Sequence, residues 1–381
     1  TYTSTMLHLF PQVNGVASLN STSALFSRAG TRVRGSSSAG FQKKSYGFEL
    51  WDEKNLDLDQ PLLGMASDSD WVLNGPWQFD DTYMHNAFIY EVSRQIGRWA
   101  PRTAFVEMFF NQNGGKLDYS DYAGVYVLTE KIKSTSDRLN VASLQANENS
   151  GDALTGGYIF KIDRAEGNEV NWQTSNGVPS SDRLVIVEPD PDFDTPAQIS
   201  YLQNYVQTFD TTLFNERATG FATRNYRNYI DVPAWIDHHI LNSLAFNVDA
   251  LRLSAFYHKD RLGKIHAGPL WDFDRALGSD DGRDSSPQSW NNIGYFFTRD
   301  WWGPLFQDRD FVQAWIDRWW ELRAPGQPFV TANLHGIADQ MGAQIGNVAG
   351  ARDAQRWPDN AAAGVYLNEV AAMKNWLTSR V

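Results

Sequence analysis

Cysteine is absent from the 381 residues, which removes disulfides, thiolate metal sites and cysteine nucleophiles without fixing the compartment. No apolar run approaches the roughly 20 residues that cross a bilayer, so no membrane span is expected. Basic charge is also short. The 33 Lys and Arg face 45 Asp and Glu, and the net charge of −12 argues against a dominant nucleic-acid surface. H-E-x-x-H is missing, which excludes the common zinc hydrolases, and so is G-x-S-x-G, which excludes an α/β-hydrolase nucleophile elbow. His238 and His239 adjoin, but neighbouring helical residues do not converge on one ion.

What is present describes an ordinary globular protein, 42% hydrophobic and 20% charged, with length for one large domain or two lobes. The chain opens at Thr1 without a Met or a signal peptide, which reads as a mature form or an excised domain. Its aromatic-rich, Asn/Ser/Gly-rich texture favours secretion. The 15 tryptophans are expected mainly in core packing.

Residues 1–60 read as strands, with TRVRG and KKSYGFELW alternating around the loop SSSAG. A helix is expected from Thr82 to about Gly97, then two strands, RTAFVEMFFN and AGVYVLTEKI. The stretch 131–195 is irregular and holds two short strands, GGYIFKID and RLVIVEP. From Thr195 the pattern turns helical: QISYLQNYVQTFDTTLF is amphipathic, and Asp231 with Pro233 opens a helix through AWIDHHILNSLAF. LSAFYH and IHAGPLW flank the turn KDRLGK as a hairpin, and three helical stretches follow: DFVQAWIDRWWELRA, ANLHGIADQMGAQI and GVYLNEVAAMKNWLTSR. The fold class is therefore α+β in two lobes, a strand-rich 1–130 for nucleotide phosphates and a mainly helical 131–381 for catalytic and metal-binding aspartates. A cleft between lobes is a common ligand site.

The chemistry concentrates in GPLWDFDRALG. Asp272 and Asp274 flank Phe273 between apolar segments, and the hairpin returns the chain close to Asp249 and Asn247 in NVDALRL. Clustered carboxylates repel one another unless a cation intervenes, and Mg²⁺ needs only one or two beside water and phosphate oxygens. The order of helix, loop Asp, hairpin and metal Asp is that of the catalytic half of protein kinases. Asp249 then accepts a hydroxyl proton, while Asp272, with Asp274 and Asn247, holds the metal. Arg32, Arg34, Lys43 and Lys44 surround a small-residue loop, RGSSSAG, whose Ser36 and backbone N–H groups suit phosphates. Strand alternation turns one of the two lysines inward, with Lys44 favoured. Glu91 is the candidate helix partner of that lysine. Glu130, at the end of GVYVLTE, is the candidate for a nucleotide or hinge contact.

RVRGSSSAGFQKKSYGFEL, DWVLNGPWQFDDTYMHNAFIYEVSRQIG, GVYVLTEKI, GGYIFKID, NVDALRLSAFYHKDRLGKIHAGPLWDFDRALG and MKNWLTSR together resemble the CotH (spore-coat protein H) family of atypical kinases. The resemblance implies a divergent kinase-like fold, ATP with Mg²⁺ or Mn²⁺, and transfer to Ser/Thr of a protein substrate. By it Asp249 matches the catalytic aspartate and Asp272 the metal-binding one. It also implies an extracellular, spore or cell-surface setting, with the chain as part of a larger multidomain secreted protein. Three features depart from ordinary kinases: G-x-G-x-x-G is absent, Ser254 stands where an Asn follows the catalytic Asp, and no glycine follows Asp272-Phe273.

Two other readings use the same residues. Nucleotidyl transfer to protein would keep the fold and change the product. A non-enzymic module would hold Ca²⁺ on the acidic cluster and stack sugars on tryptophan.

Overall fold

The structure, a computed structural model, describes residues 2–167, 169–178, 182–190, 194–290, 296–358 and 365–381. Its strands are β1 (Thr3–Leu9), β2 (Leu25–Arg34), β3 (Ser45–Trp51), β4 (Asp70–Asn74), β5 (Thr103–Phe109), β6 (Tyr122–Glu130), β7 (Tyr158–Asp163), β8 (Asn171–Trp172), β9 (Arg183–Glu188), β10 (Ala255–Lys259) and β11 (Ile265–Ala267). The α-helices are α1 (His85–Gln95), α2 (Pro196–Ala218), α3 (Val232–Ala245), α4 (Trp302–Leu305), α5 (Arg309–Leu322), α6 (Thr331–Arg356) and α7 (Tyr366–Arg380). The protein is of mixed α and β structure, compatible with an α+β fold.

Two compact units emerge. The first comprises Thr1–Ala87, Pro101–Lys131 and Gln340–Val370. Its antiparallel sheet runs β1-β2-β3-β4-β6-β5. Phe48 and Leu50 of β3, Trp71 of β4 and Leu128 of β6 are buried together with Leu62 and Met65. The alternation read from residues 1–60 is thus the inward face of real strands, while β4 was not among the expected ones. Gly346 (φ 67°, ψ 165°) breaks α6 into two helical runs. The first is the expected ANLHGIADQMGAQI, and the second carries Asp353 in this unit.

The second unit comprises Phe88–Ala100, Ile132–Asp339 and Ala371–Val381. Its sheet runs β11-β10-β7-β9-β8, and each neighbouring pair is antiparallel. The expected hairpin forms, with His258 opposite His266. Local capping sets the helices. Thr195 Oγ1 accepts from Gln198 N at 3.3 Å ahead of α2, and Asp231 accepts from Ala234 N at 2.8 Å ahead of α3. Trp235 of α3 anchors the core, its ring 5.4 Å from Phe209, 5.3 Å from Tyr257, 5.9 Å from Trp301 and 5.0 Å from Trp302. These tryptophans are core, whereas Trp320 is 60% exposed. Of the last expected helix, Gly364 lies outside the described residues.

Candidate active site

The hairpin does what its turn chemistry implies: it returns the chain to the end of α3. Phe246 closes that helix in the left-handed region (φ 51°). Leu277 N then donates to Ala245 O at 2.8 Å, and Val248 N to Arg275 O at 3.4 Å. Between these ties lie Asn247, Asp249, Asp272 and Asp274. Asn247 Oδ1 accepts from Asp249 N at 3.1 Å, and its Nδ2 donates to Asp272 O at 3.1 Å. Both ends of the Asn247 carboxamide thus hold main chain, which ties Asp249 to Asp272.

Around the aspartates the backbone is unusual. Asp272 (φ 66°), Leu251 (φ 69°) and Ser254 (φ 50°) all occupy the left-handed region, which non-glycine residues adopt at a cost of about 1–3 kcal/mol. Phe273 is buried, Asp272 exposed and Asp274 half-buried. Asp272 N donates to Tyr90 Oη at 3.4 Å, and the Tyr90 ring stacks on Trp271. Burial, then the charge and hydrogen bond of Asp272, hold Asp274 well above the usual carboxylate range; Arg275 opposes this and Asp249 adds repulsion.

That mutual repulsion bears on the fit to a divalent cation, because a hard cation placed between two carboxylates relieves it. Among the described residues no three His, Asp or Glu side chains are grouped to hold a metal. A two-carboxylate site of this kind suits an ion whose remaining ligands are phosphate oxygens and water.

Ser254 was noted in the sequence only as a departure from kinases, and Asp163, Lys161 and the arginines near Asp249 were missed. Ser254 Oγ stands 3.3 Å from both Asp163 Oδ2 and Asp272 Oδ2, and Lys161 Nζ lies 3.1 Å from Asp163. The period-two spacing in YIFKID places Lys161 and Asp163 on one face of β7, which was the available signal. Arg252, Arg275 and Arg283 all approach Asp249.

The basic residues of the first unit behave differently from expectation. Both lysines precede β3, so strand alternation does not govern them. Lys43, not the favoured Lys44, is the inward one: its Nζ lies 2.6 Å from Asp353 Oδ1, with both side chains fully buried. Burial draws the Lys43 ammonium below lysine's usual range, against the pull of Asp353. Tyr83 and Tyr126 present ring faces to it at 5.0 and 5.4 Å. Lys44 Nζ instead donates to Ala39 O at 2.7 Å, closing the small-residue loop. In that loop Gly35 (φ 102°) is required, because a Cβ there would fall 2.0 Å from Ser38 Oγ. Ser36 is exposed, Arg34 sits opposite Ser45 at the end of β2, and Arg32 lies 4.8 Å over the Tyr2 ring.

The two glutamates are taken by other partners. Glu91 pairs with Arg94 at 2.7 Å and Gln95 at 3.0 Å on its own helix, so it is not the lysine's counter-ion. Glu130 is fully buried and accepts from Arg102 N at 2.9 Å, Nε at 3.0 Å and Nη2 at 2.7 Å. Its carboxylate thus ties the end of β6 to the start of β5.

The helix, loop aspartate, hairpin and aspartate pair thus follow one another in the order read from the sequence. The family model described as CotH kinase protein matches residues 31–381, and the chain belongs to that family. No curated protein matches it. Among the described residues no helix is long and apolar enough to cross a membrane.

Proposed function

We propose that the protein is an ATP-dependent kinase of divergent, two-lobed kinase-like fold that phosphorylates Ser/Thr of a protein acceptor with Mg²⁺ or Mn²⁺. The observation that carries this reading is Asn247, whose single carboxamide joins the main chains of Asp249 and Asp272 at 3.1 Å each. Such a tie fixes a proton acceptor and a metal-type carboxylate in one frame. Family membership supports the reaction class. The family's link to spore coats supports a surface or extracellular setting.

Asp249 Oδ1 is held by Arg252 and by Arg283 Nη1 at 3.4 Å, while Oδ2 faces Arg275 Nε at 3.9 Å, beyond hydrogen-bond reach. Oδ2 is therefore the oxygen that receives the acceptor hydroxyl. In the transfer, the hydroxyl oxygen bonds to the γ-phosphorus and the bond to the β,γ-bridging oxygen breaks. ADP leaves with that electron pair and the hydroxyl proton ends on Asp249. Asp272 and Asp274 hold the divalent cation, which supplies neutralisation of phosphate charge. Lys161, on β7 beside Asp163 and Ser254, is a further cation for phosphate oxygens. Catalysis here is positioning and electrostatics, since phosphoryl transfer asks for little covalent help.

The test is labelled ATP with Mn²⁺ and a Ser/Thr-rich acceptor. Asp249→Asn and Asp272→Asn each lower transfer by at least about a thousandfold at unchanged melting temperature. Mass added to the acceptor separates phosphate from AMP. Undiminished transfer in both variants rejects the assignment.

A further inference from the structure

The face of α5, the end of α7 and the chain around Trp290 and Phe297 line a cavity of about 910 Å³, all within the second unit. Its walls are rings. Trp315 and Trp319, one turn apart on α5, lie parallel to within 5° with centroids 6.0 Å apart, and Trp290 meets them edge-on at 6.3 and 5.1 Å. Trp319 is buried, whereas Trp320 beside it is exposed. Val381 is the one aliphatic side chain among the described lining residues.

Arg380 fixes the wall. Its guanidinium lies 4.0 Å over the Trp290 ring, and its donors are spent on main chain: Nη1 on Pro287 O and Ser289 O at 2.7 Å each, Nε on Ser243 O at 3.1 Å, and Nη2 also on Ser243 O. Trp315 Nε1 donates to His239 Nδ1 at 3.1 Å. These ties hold the rings through protein contacts alone, so the cavity is preformed.

Arg323 is placed differently. It lies 5.7 Å over Trp319 and 5.5 Å over Trp320, and its guanidinium has no hydrogen-bond acceptor among the described residues. No Asp or Glu side chain lines the cavity among those residues, although the chain carries 45 of them. Gln288 and Ser379 bring an amide and a hydroxyl to the same lining.

An occupant must therefore offer flat apolar faces, hydrogen-bonding edges and negative charge. A pyranose has this form, because its faces carry C–H groups that rest on aromatic rings while its hydroxyls point outward. A carboxylate on that ring meets two donors of the Arg323 fork. An acyl chain needs aliphatic walls, which are missing. A quaternary ammonium is repelled by the guanidinium, and a nucleoside polyphosphate needs more free cations than one.

We propose that this cavity binds a saccharide ring bearing a carboxylate, a uronic acid unit of an acidic glycan, with Trp320 as the outer stacking platform and Arg323 as the selector of charge. The site is separate from the aspartate frame, since none of Asn247, Asp249, Asp272 or Asp274 lines it. It gives the protein a hold on acidic polysaccharide that does not depend on phosphoryl transfer.

The experiment uses the full chain without ATP. The probes are trigalacturonate, trimannuronate, a hyaluronan tetrasaccharide and the neutral sugars cellotriose and maltotriose, each followed by tryptophan fluorescence and by calorimetry. At least one uronate probe binds saturably, and at least about tenfold more tightly than either neutral sugar. Trp320→Ala lowers that affinity at least about tenfold, and Trp320→Phe keeps most of it. Arg323→Gln removes the preference for the uronate and leaves the neutral sugars as they were. Melting temperatures stay at the wild-type value, since neither side chain is buried. Absence of saturable binding for all five probes at about 10 mM overturns the proposal, and so does binding that Trp320→Ala leaves intact. Equal affinity for acidic and neutral sugars overturns the assignment of charge. Binding of AMP that is tighter than that of every sugar and is lost in Trp320→Ala overturns the saccharide and gives the rings to a flat base.

Discussion

Lys43 Nζ lies 2.6 Å from Asp353 Oδ1, and neither side chain touches solvent. Asp353 Oδ1 also accepts from Val125 N at 2.6 Å, so one carboxylate fixes a lysine and a strand of the first unit. Removing one member of such a pair leaves an uncompensated charge in the interior. Asp353→Ala is expected to cost about 3–5 kcal/mol in urea denaturation, and Lys43→Met with Asp353→Leu together much less. A single-variant loss under about 1 kcal/mol would show that water reaches the pair.

Gly124 serves the same junction. It sits at φ 110°, and a Cβ there would meet Asp353 Oδ1 at 2.2 Å and Lys43 Cε at 3.2 Å. Gly124→Ala is expected to lower stability by more than about 2 kcal/mol, through strain and displacement of the ion pair. The melting temperature checks this, and a value equal to wild type refutes it.

Asn247 holds the aspartate frame through two main-chain hydrogen bonds, so its loss is expected to act on rate before stability. Asn247→Ala lowers kcat by about a hundredfold with KM for ATP little changed. The cost in stability is about 0.5–1.5 kcal/mol, the net worth of part-buried hydrogen bonds whose main-chain groups can turn to water. Steady-state kinetics read the split, and a rise in KM at constant kcat would return Asn247 to direct ligand binding.

Histidine burial sets an acid limit. Burial, aided by the neighbouring His239, draws His238 down to about 3; burial, against the Phe296 carbonyl, draws His239 down to about 4. His239 Nε2 donates to Phe296 O at 2.8 Å and its Nδ1 accepts from Trp315 Nε1 at 3.1 Å, a neutral ring with both nitrogens used. Below the usual histidine value of 6.5 the unfolded chain takes up protons that the folded one refuses. Stability is therefore fully present above pH 6.5 and falls as the pH drops toward 4 and 3. Chemical denaturation between pH 7.5 and 4 tests the slope, and a flat profile down to pH 5 would refute neutral, buried rings.

The parts legible in the sequence are those whose signals are local. Asp231 with Pro233 marked the start of α3, and the KDRLGK turn marked the hairpin. Hairpin return then brought Asp249 and Asp272 into one frame. Side-chain partners distant along the chain carried no such mark. Asp353 lies 310 positions from Lys43, and nothing periodic points to it. Glu91 looked free for a lysine because its pairing with Arg94 and Gln95 competes invisibly in a helical pattern. The second run of α6 lay beyond the expected stretch, parted from it by the left-handed backbone of Gly346. Within it Gly350 is small for packing, since a Cβ there would fall 2.6 Å from the Tyr366 side chain.

The distance of Lys43 from its counter-ion also bears on how the protein is made. A ribosome must add 310 residues after the lysine before the carboxylate exists. The strands of the first unit therefore emerge long before segment 340–370, which completes it. During that interval the segment ahead of β3 carries an ammonium destined for the interior, without the carboxylate that pairs with it there. Assembly of this unit is accordingly late rather than vectorial, and stalled chains ending before Asp353 present the kind of incomplete surface that chaperones and proteases recognise.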